Sequence, residues 1–216
     1  KVLPPIPSGD VTWGKAITFF DYYLKGVKND YPSWPKVTYW NLGEEAFKTS
    51  GAWPLENAKN IRFYFDKQQT LVKSRPSTVQ QADSYKVDFS ATTGRNSRWW
   101  TGIGYPMLNL NARQEEDKKL LTYTSEPLTK DMQITGWPIV SLTVSSTHSD
   151  GAFIAYLEDI DEQGNSIYVN EGGLRAIHRK VKANPVTGLE HLPYHSFKKA
   201  DAQPLVPNKV SEIKFE

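Results

Sequence analysis

From Lys36 onward the chain is a succession of short runs rich in aromatic and β-branched residues, with no helical pattern between them. A parallel sheet needs a long crossover, usually a helix, between successive strands, so such a chain must build antiparallel sheets. The runs fall at residues 37–42, 61–65, 85–89, 120–124, 139–145, 153–160, 166–170 and 172–181. In 139–145, Val140, Leu142 and Val144 alternate with Ser141, Thr143 and Ser145, the period of a strand with one buried face. Asp161-Glu-Gln-Gly-Asn165 lies between two runs and reads as a hairpin turn. Val210-Ser-Glu-Ile-Lys-Phe-Glu216 alternates as well and reads as a strand cut short. The expectation is about nine or ten strands in a sandwich or jelly roll.

One segment departs from this pattern. Residues 1–10 are Pro-rich and read as an extended arm. Asp10 or Thr12 can then cap a helix running to about residue 24. Trp13, Ile17, Phe20, Leu24 and Val27 form its apolar stripe, and Gly26 suits its C-terminal end. A sheet or another domain must cover that stripe. The stretch 90–119 has no clear period and carries Thr93-Gly-Arg-Asn-Ser-Arg-Trp-Trp-Thr-Gly-Ile-Gly-Tyr-Pro106, as functional loops often do.

Composition removes several classes of function. The net charge of +2 and the scattered Lys and Arg give no nucleic-acid footprint. No run of about 18 apolar residues occurs, so no membrane-spanning helix is expected. The 216 residues contain no Cys, which rules out disulfides, thiol nucleophiles and zinc–thiolate sites. The compartment stays open, with the cytoplasm favoured over secretion because no Asn-x-Ser/Thr acceptor occurs.

Candidate chemistry is sparse. A nucleophilic serine needs a base in reach and a group to orient that base, and no G-x-S-x-G elbow is present. The four histidines are His148 in a polar connection, His178 in a strand flanked by arginines, and the pair in His191-Leu-Pro-Tyr-His195. Pro193 prevents the helix that would set that pair side by side on a metal. Asp159-Ile-Asp161-Glu-Gln163-Gly164 resembles half a calcium loop, yet Asn170 stands where a bidentate Glu is needed, so a solvated hairpin turn is expected. No metal or cofactor is expected. Arg95, Arg98, Trp99, Trp100 and Tyr105 form the one suggestive cluster. Adjacent Trp residues on an extended chain point to opposite sides, so one of them can face a pocket or another domain. The bland reading is that both pack under the loop.

Taken in order, several segments resemble the C-terminal domain of the X-prolyl dipeptidyl-peptidase and cocaine-esterase-like serine hydrolases. They are Phe19-Phe-Asp-Tyr-Tyr-Leu-Lys-Gly26, Val37-Thr-Tyr-Trp-Asn-Leu-Gly43 and Thr49-Ser-Gly-Ala-Trp-Pro54. Leu121-Thr-Tyr-Thr-Ser-Glu-Pro-Leu128, Ile134-Thr-Gly-Trp-Pro138 and the run from Val144 through Phe153 and Asp161 to Arg179 follow. The resemblance implies an all-β, galactose-binding-like jelly-roll β-sandwich with an N-terminal helix. It implies a parent protein whose α/β-hydrolase domain carries the Ser, Asp and His, and whose substrate is a small ester, amide or peptide. None of those triad residues maps onto this chain, so no catalytic residue is assigned here.

The expected organisation is an arm and helix over 1–35, leading from that hydrolase domain, and a sandwich over 36–216. The family pattern continues past Glu216, so the sandwich is expected to be incomplete. The alternative is a self-standing carbohydrate- or ligand-binding sandwich. Oligomeric state is left open.

Overall fold

The computed structural model describes residues 8–77, 82–93 and 113–216. They fall into two compact units, one holding residues 8–77 and Thr93 and the other residues 82–92 and 113–216.

The first unit opens with helix α1 (Gly9–Lys25). Ser8 is its N-cap, its side chain accepting from the Val11 N–H, whereas Asp10 and Thr12 were the expected caps. Asp10 instead lies inside the first turn, and the Thr12 hydroxyl donates to the Ser8 carbonyl at 3.4 Å. The helix ends where expected, because Gly26 takes the left-handed conformation (φ 68°) and its N–H returns to the Asp21 carbonyl. A 3-10 turn at Tyr31–Ser33 follows. Asn29 fastens this turn to the helix, donating to the Thr18 carbonyl at 2.8 Å and accepting from the Tyr31 N–H at 3.1 Å. Strand β1 (Val37–Asn41) pairs antiparallel with β2 (Ala46–Ser50), and Trp40 faces Phe47 across the pair with centroids 4.9 Å apart. Strand β3 (Tyr64–Asp66) pairs antiparallel with β4 (Thr70–Val72).

The second unit contains the sandwich core. Its short elements are helix α2 (Gln114–Asp117) and β5 (Thr124–Ser125). Strand β6 (Val140–Ser145) pairs antiparallel with β9 (Val210–Phe215), from Val140 opposite Phe215 to Ser145 opposite Val210. Strand β7 (Ala152–Ile160) pairs antiparallel with β8 (Ser166–Arg175), with a bulge between Leu157 and Glu158. The two pairs enclose a core of Leu174, Ala176, Leu205, Ile213 and Phe215, against which Val140, Leu142, Val144, Phe153 and Ala155 pack. The alternation read in β6 therefore has its cause in this layer: the aliphatic side chains turn inward and the hydroxyls outward.

Strand outweighs helix among the described residues, 27% against 18%, and the chain is a β-sandwich as expected. Individual strands differ from the reading. Residues 85–89 form no strand, only Tyr64 and Phe65 of the 61–65 run pair within β3, and the run at 120–124 shrinks to β5. The runs at 166–170 and 172–181 are one continuous strand, β8, ending at Arg175. His178 consequently lies in a 3-10 turn (Ala176–His178) and not in a strand. Gly172 explains the continuity. A Cβ there would sit 2.4 Å from the Glu216 carbonyl oxygen, so β8 can run beneath the end of β9 only without a side chain.

Candidate functional site

The sequence cluster Arg95, Arg98, Trp99, Trp100 and Tyr105 lies outside the described residues. The structure shows how the chain is held on each side of it. Before it, the Thr92 N–H donates to Glu116 Oε2 at 2.9 Å, and Lys119 Nζ bridges Glu116 at 3.0 Å and the Ser90 carbonyl at 3.3 Å. These bonds hold the Glu116 carboxyl below its usual range, the Thr92 N–H first and Lys119 second. Tyr123 donates to Asp83 at 2.6 Å, and burial followed by that bond pushes its phenol up to about 12.

After it stands Arg113, which is 5% exposed. Its N–H donates to the Ser166 carbonyl at 3.3 Å, and its guanidinium lies 3.7 Å over the Tyr156 ring. Its Nε donates to Glu158 at 2.6 Å and lies 3.8 Å from Asp117. Burial raises the Glu158 carboxyl, the nearby Asp117 charge raises it further, and Arg113 only partly offsets both. Arg113 and Glu116 belong to the same turn of chain, so α2 secures both sides of the candidate segment. Nothing in local sequence marks this network, because Arg113 and Glu158 are 45 residues apart.

The histidines occupy three settings, with His178 and His195 both beside Phe197. His148 Nδ1 meets the Thr147 hydroxyl at 2.9 Å, and His178 lies 5.0 Å from the Phe197 ring. His191 packs 6.1 Å from Trp137. His195 Nε2 donates to the Lys214 carbonyl at 2.8 Å, since a carbonyl can only accept. Among the described residues, these contacts set no serine against a base, and no three His, Cys, Asp or Glu residues gather as a metal site.

The Asp161 carboxylate is used by its own turn, accepting from the Gln163 N–H, the Asn165 N–H and the Asn165 amide at 2.8 to 2.9 Å. Asp201 accepts from Lys180, Lys182 and Ser196, and these three hold it far below the ordinary carboxylate range. In the first unit an open cleft is lined by Lys15, Asp30, Trp34, Pro35 and Thr38. Trp34 Nε1 donates to Asp30 there at 3.1 Å, and Lys15 Nζ stands 6.0 Å from the ring. No described helix is long and apolar enough to cross a membrane.

Asp161 and Asp201 are thus committed to a turn and to ion pairs within an antiparallel β-sandwich. The chain belongs to the family described as the X-Pro dipeptidyl-peptidase C-terminal non-catalytic domain, which it matches over residues 29–216. It is 37% identical over 209 residues to a "Putative serine esterase" of Mycobacterium bovis, and equally to one of Mycobacterium tuberculosis, covering 94% of this chain and 32% of each relative. It is 26% identical over 178 residues to the cocaine esterase of a Rhodococcus species, covering 77% of this chain and 31% of that protein. Among solved structures, an aminopeptidase from a marine sediment Thaumarchaeota archaeon superposes with a TM-score of 0.65 at 22% identity, covering 99% of this chain and 35% of that one. That likeness concerns the fold alone. The chain thus spans about a third of the length of the curated relatives it matches.

Proposed function

We propose that this chain is the non-catalytic β-sandwich domain of a serine hydrolase acting on ester or peptide bonds, that it packs on an α/β-hydrolase domain of the same protein, and that it shapes that domain's substrate pocket. The observation that carries the reading is the match to a non-catalytic C-terminal domain over residues 29–216, within relatives named as serine esterases and about three times as long. The chemistry then belongs to the partner domain: a serine attacks the acyl carbon, a histidine takes its proton, and an aspartate orients that histidine. A neighbouring domain contributes by walling the pocket and excluding water.

Arg95, Arg98, Trp99, Trp100 and Tyr105 are the residues proposed for that wall. Ordering two Trp and two Arg among Gly and Asn is costly without a partner to bury them. In the full-length protein, Trp99→Ala and Trp100→Ala should change kcat/KM between p-nitrophenyl acetate and Ala-Pro-p-nitroanilide by the worth of one lost apolar wall, ~1–3 kcal/mol. A large fall in melting temperature with unchanged kinetics in both variants would put the pair in the fold's core and remove the pocket role. Failure of the full-length protein to hydrolyse either substrate class would sink the hydrolase reading itself.

A further inference from the structure

Helix α1 has two unlike sides. On one, Phe19, Tyr22 and Tyr23 pile onto Tyr31, with centroids 5.2, 5.5 and 5.4 Å away, and Tyr31 in turn meets Trp34 at 5.4 Å. With the Asn29 bonds, this pile fixes the helix to the turn that follows it. On the other side, Trp13, Ile17, Phe20 and Leu24 fall within about 60° of arc at 3.6 residues per turn. They are 70%, 57%, 52% and 76% exposed, and Val27 beyond the helix end is 46% exposed. At this periodicity the charged residues of the helix, Asp10, Lys15, Asp21 and Lys25, all lie off that arc. A contiguous apolar strip of large side chains is a surface awaiting a partner.

Two boundaries indicate which partner. The match to the non-catalytic domain begins at residue 29, after α1 has ended at Lys25. The likeness to the mycobacterial relatives covers 94% of the chain, more than residues 29–216 amount to, so it reaches back into α1. The helix is therefore shared with those longer proteins while lying outside the sandwich domain that they also share.

We infer that α1 belongs structurally to the neighbouring catalytic domain, and that its Trp13–Ile17–Phe20–Leu24 strip docks on an apolar sheet face of that domain within the same polypeptide. This rests on the proposed function, which supplies the neighbouring domain. A helix with one narrow apolar stripe of bulky side chains is the form that covers a sheet in a layered α/β fold. The aromatic pile on its other side then makes residues 26–34 a stiff elbow, so the helix couples two domains and is more than a tether.

Amide hydrogen exchange of the full-length protein and of the 216-residue chain tests this directly. Amides of α1 from Trp13 to Leu24 should exchange roughly 100-fold or more slowly in the full-length protein than in the shorter chain, because docking suppresses helix opening. Equal exchange in both overturns the inference. Protection in the 216-residue chain that rises with its concentration also overturns it, since the strip would then be a contact between two copies. As a second measurement, Ile17→Glu with Leu24→Glu should leave the melting temperature of the 216-residue chain unchanged and lower that of the full-length protein. A protected helix in a full-length protein without ester or amide hydrolysis upholds the docking and removes the hydrolase reading. Hydrolysis with an unprotected helix does the reverse.

Discussion

Arg113 shows how a single buried cation can hold two acids together. It is almost fully buried, and both Glu158 and Asp117 lie against it, with side chains 14% and 13% exposed. Removing one partner of a buried pair leaves uncompensated charge, so Arg113→Met should destabilise the fold by about 3 kcal/mol at pH 7. The pH dependence has a defined sign. Glu158 has a folded pKa above its unfolded value, so its ionisation costs stability as pH rises from the ordinary glutamate range through that raised value. Without the cation this cost grows, and the gap between variant and parent should be widest near neutrality and narrow as Glu158 takes up a proton toward pH 4.5. Urea unfolding at both pH values reads it, and a gap that widens on acidification would contradict the assigned cause. This centre was not legible beforehand, because Arg113, Asp117, Tyr156 and Glu158 meet only through folding, whereas Trp99 and Trp100 stand out in any one-dimensional reading.

At the scale of elements, legibility followed how local the determinant was. Helix α1 and strands β6, β7 and β9 carry their periods in their own residues, and all four form. The helix start moved by a few residues because Ser8, Asp10 and Thr12 are all competent caps and only one geometry is realised. Strand β2 was missed because Ala46-Phe-Lys-Thr-Ser50 draws its stability from Trp40 and the rest of β1, opposite it. Residues 85–89 have strand-like composition, yet Asp88 closes a local turn by accepting from the Ser90 N–H at 2.8 Å, and no ladder forms. The runs 166–170 and 172–181 read as two strands, but in the fold they are one, and Gly172 is the place where β8 passes beneath Glu216. Gly172→Ala should therefore displace the end of β9 and cost ~1–3 kcal/mol by overpacking. Thermal unfolding checks this, and an unchanged melting temperature would show that the last residue simply swings aside.

On the scale of the whole molecule, the proposed function separates the sandwich from the chemistry. A triad works because its members share one rigid geometry, and the oxyanion donors must stand where charge develops. The described histidines instead serve packing and backbone contacts: His178 and His195 lie beside Phe197, His191 beside Trp137, and His148 against Thr147. The family itself is described as non-catalytic, and the sequence holds no nucleophile elbow. The 216-residue chain on its own should consequently give no turnover of p-nitrophenyl acetate or Ala-Pro-p-nitroanilide above a heat-treated control. The full-length protein, assayed in parallel at equal molarity, should turn over at least one of them. Background ester hydrolysis by surface imidazoles is weak and insensitive to any single residue. A rate well above the control that one His→Ala substitution abolishes would therefore mean that a real active site had been assembled within these residues.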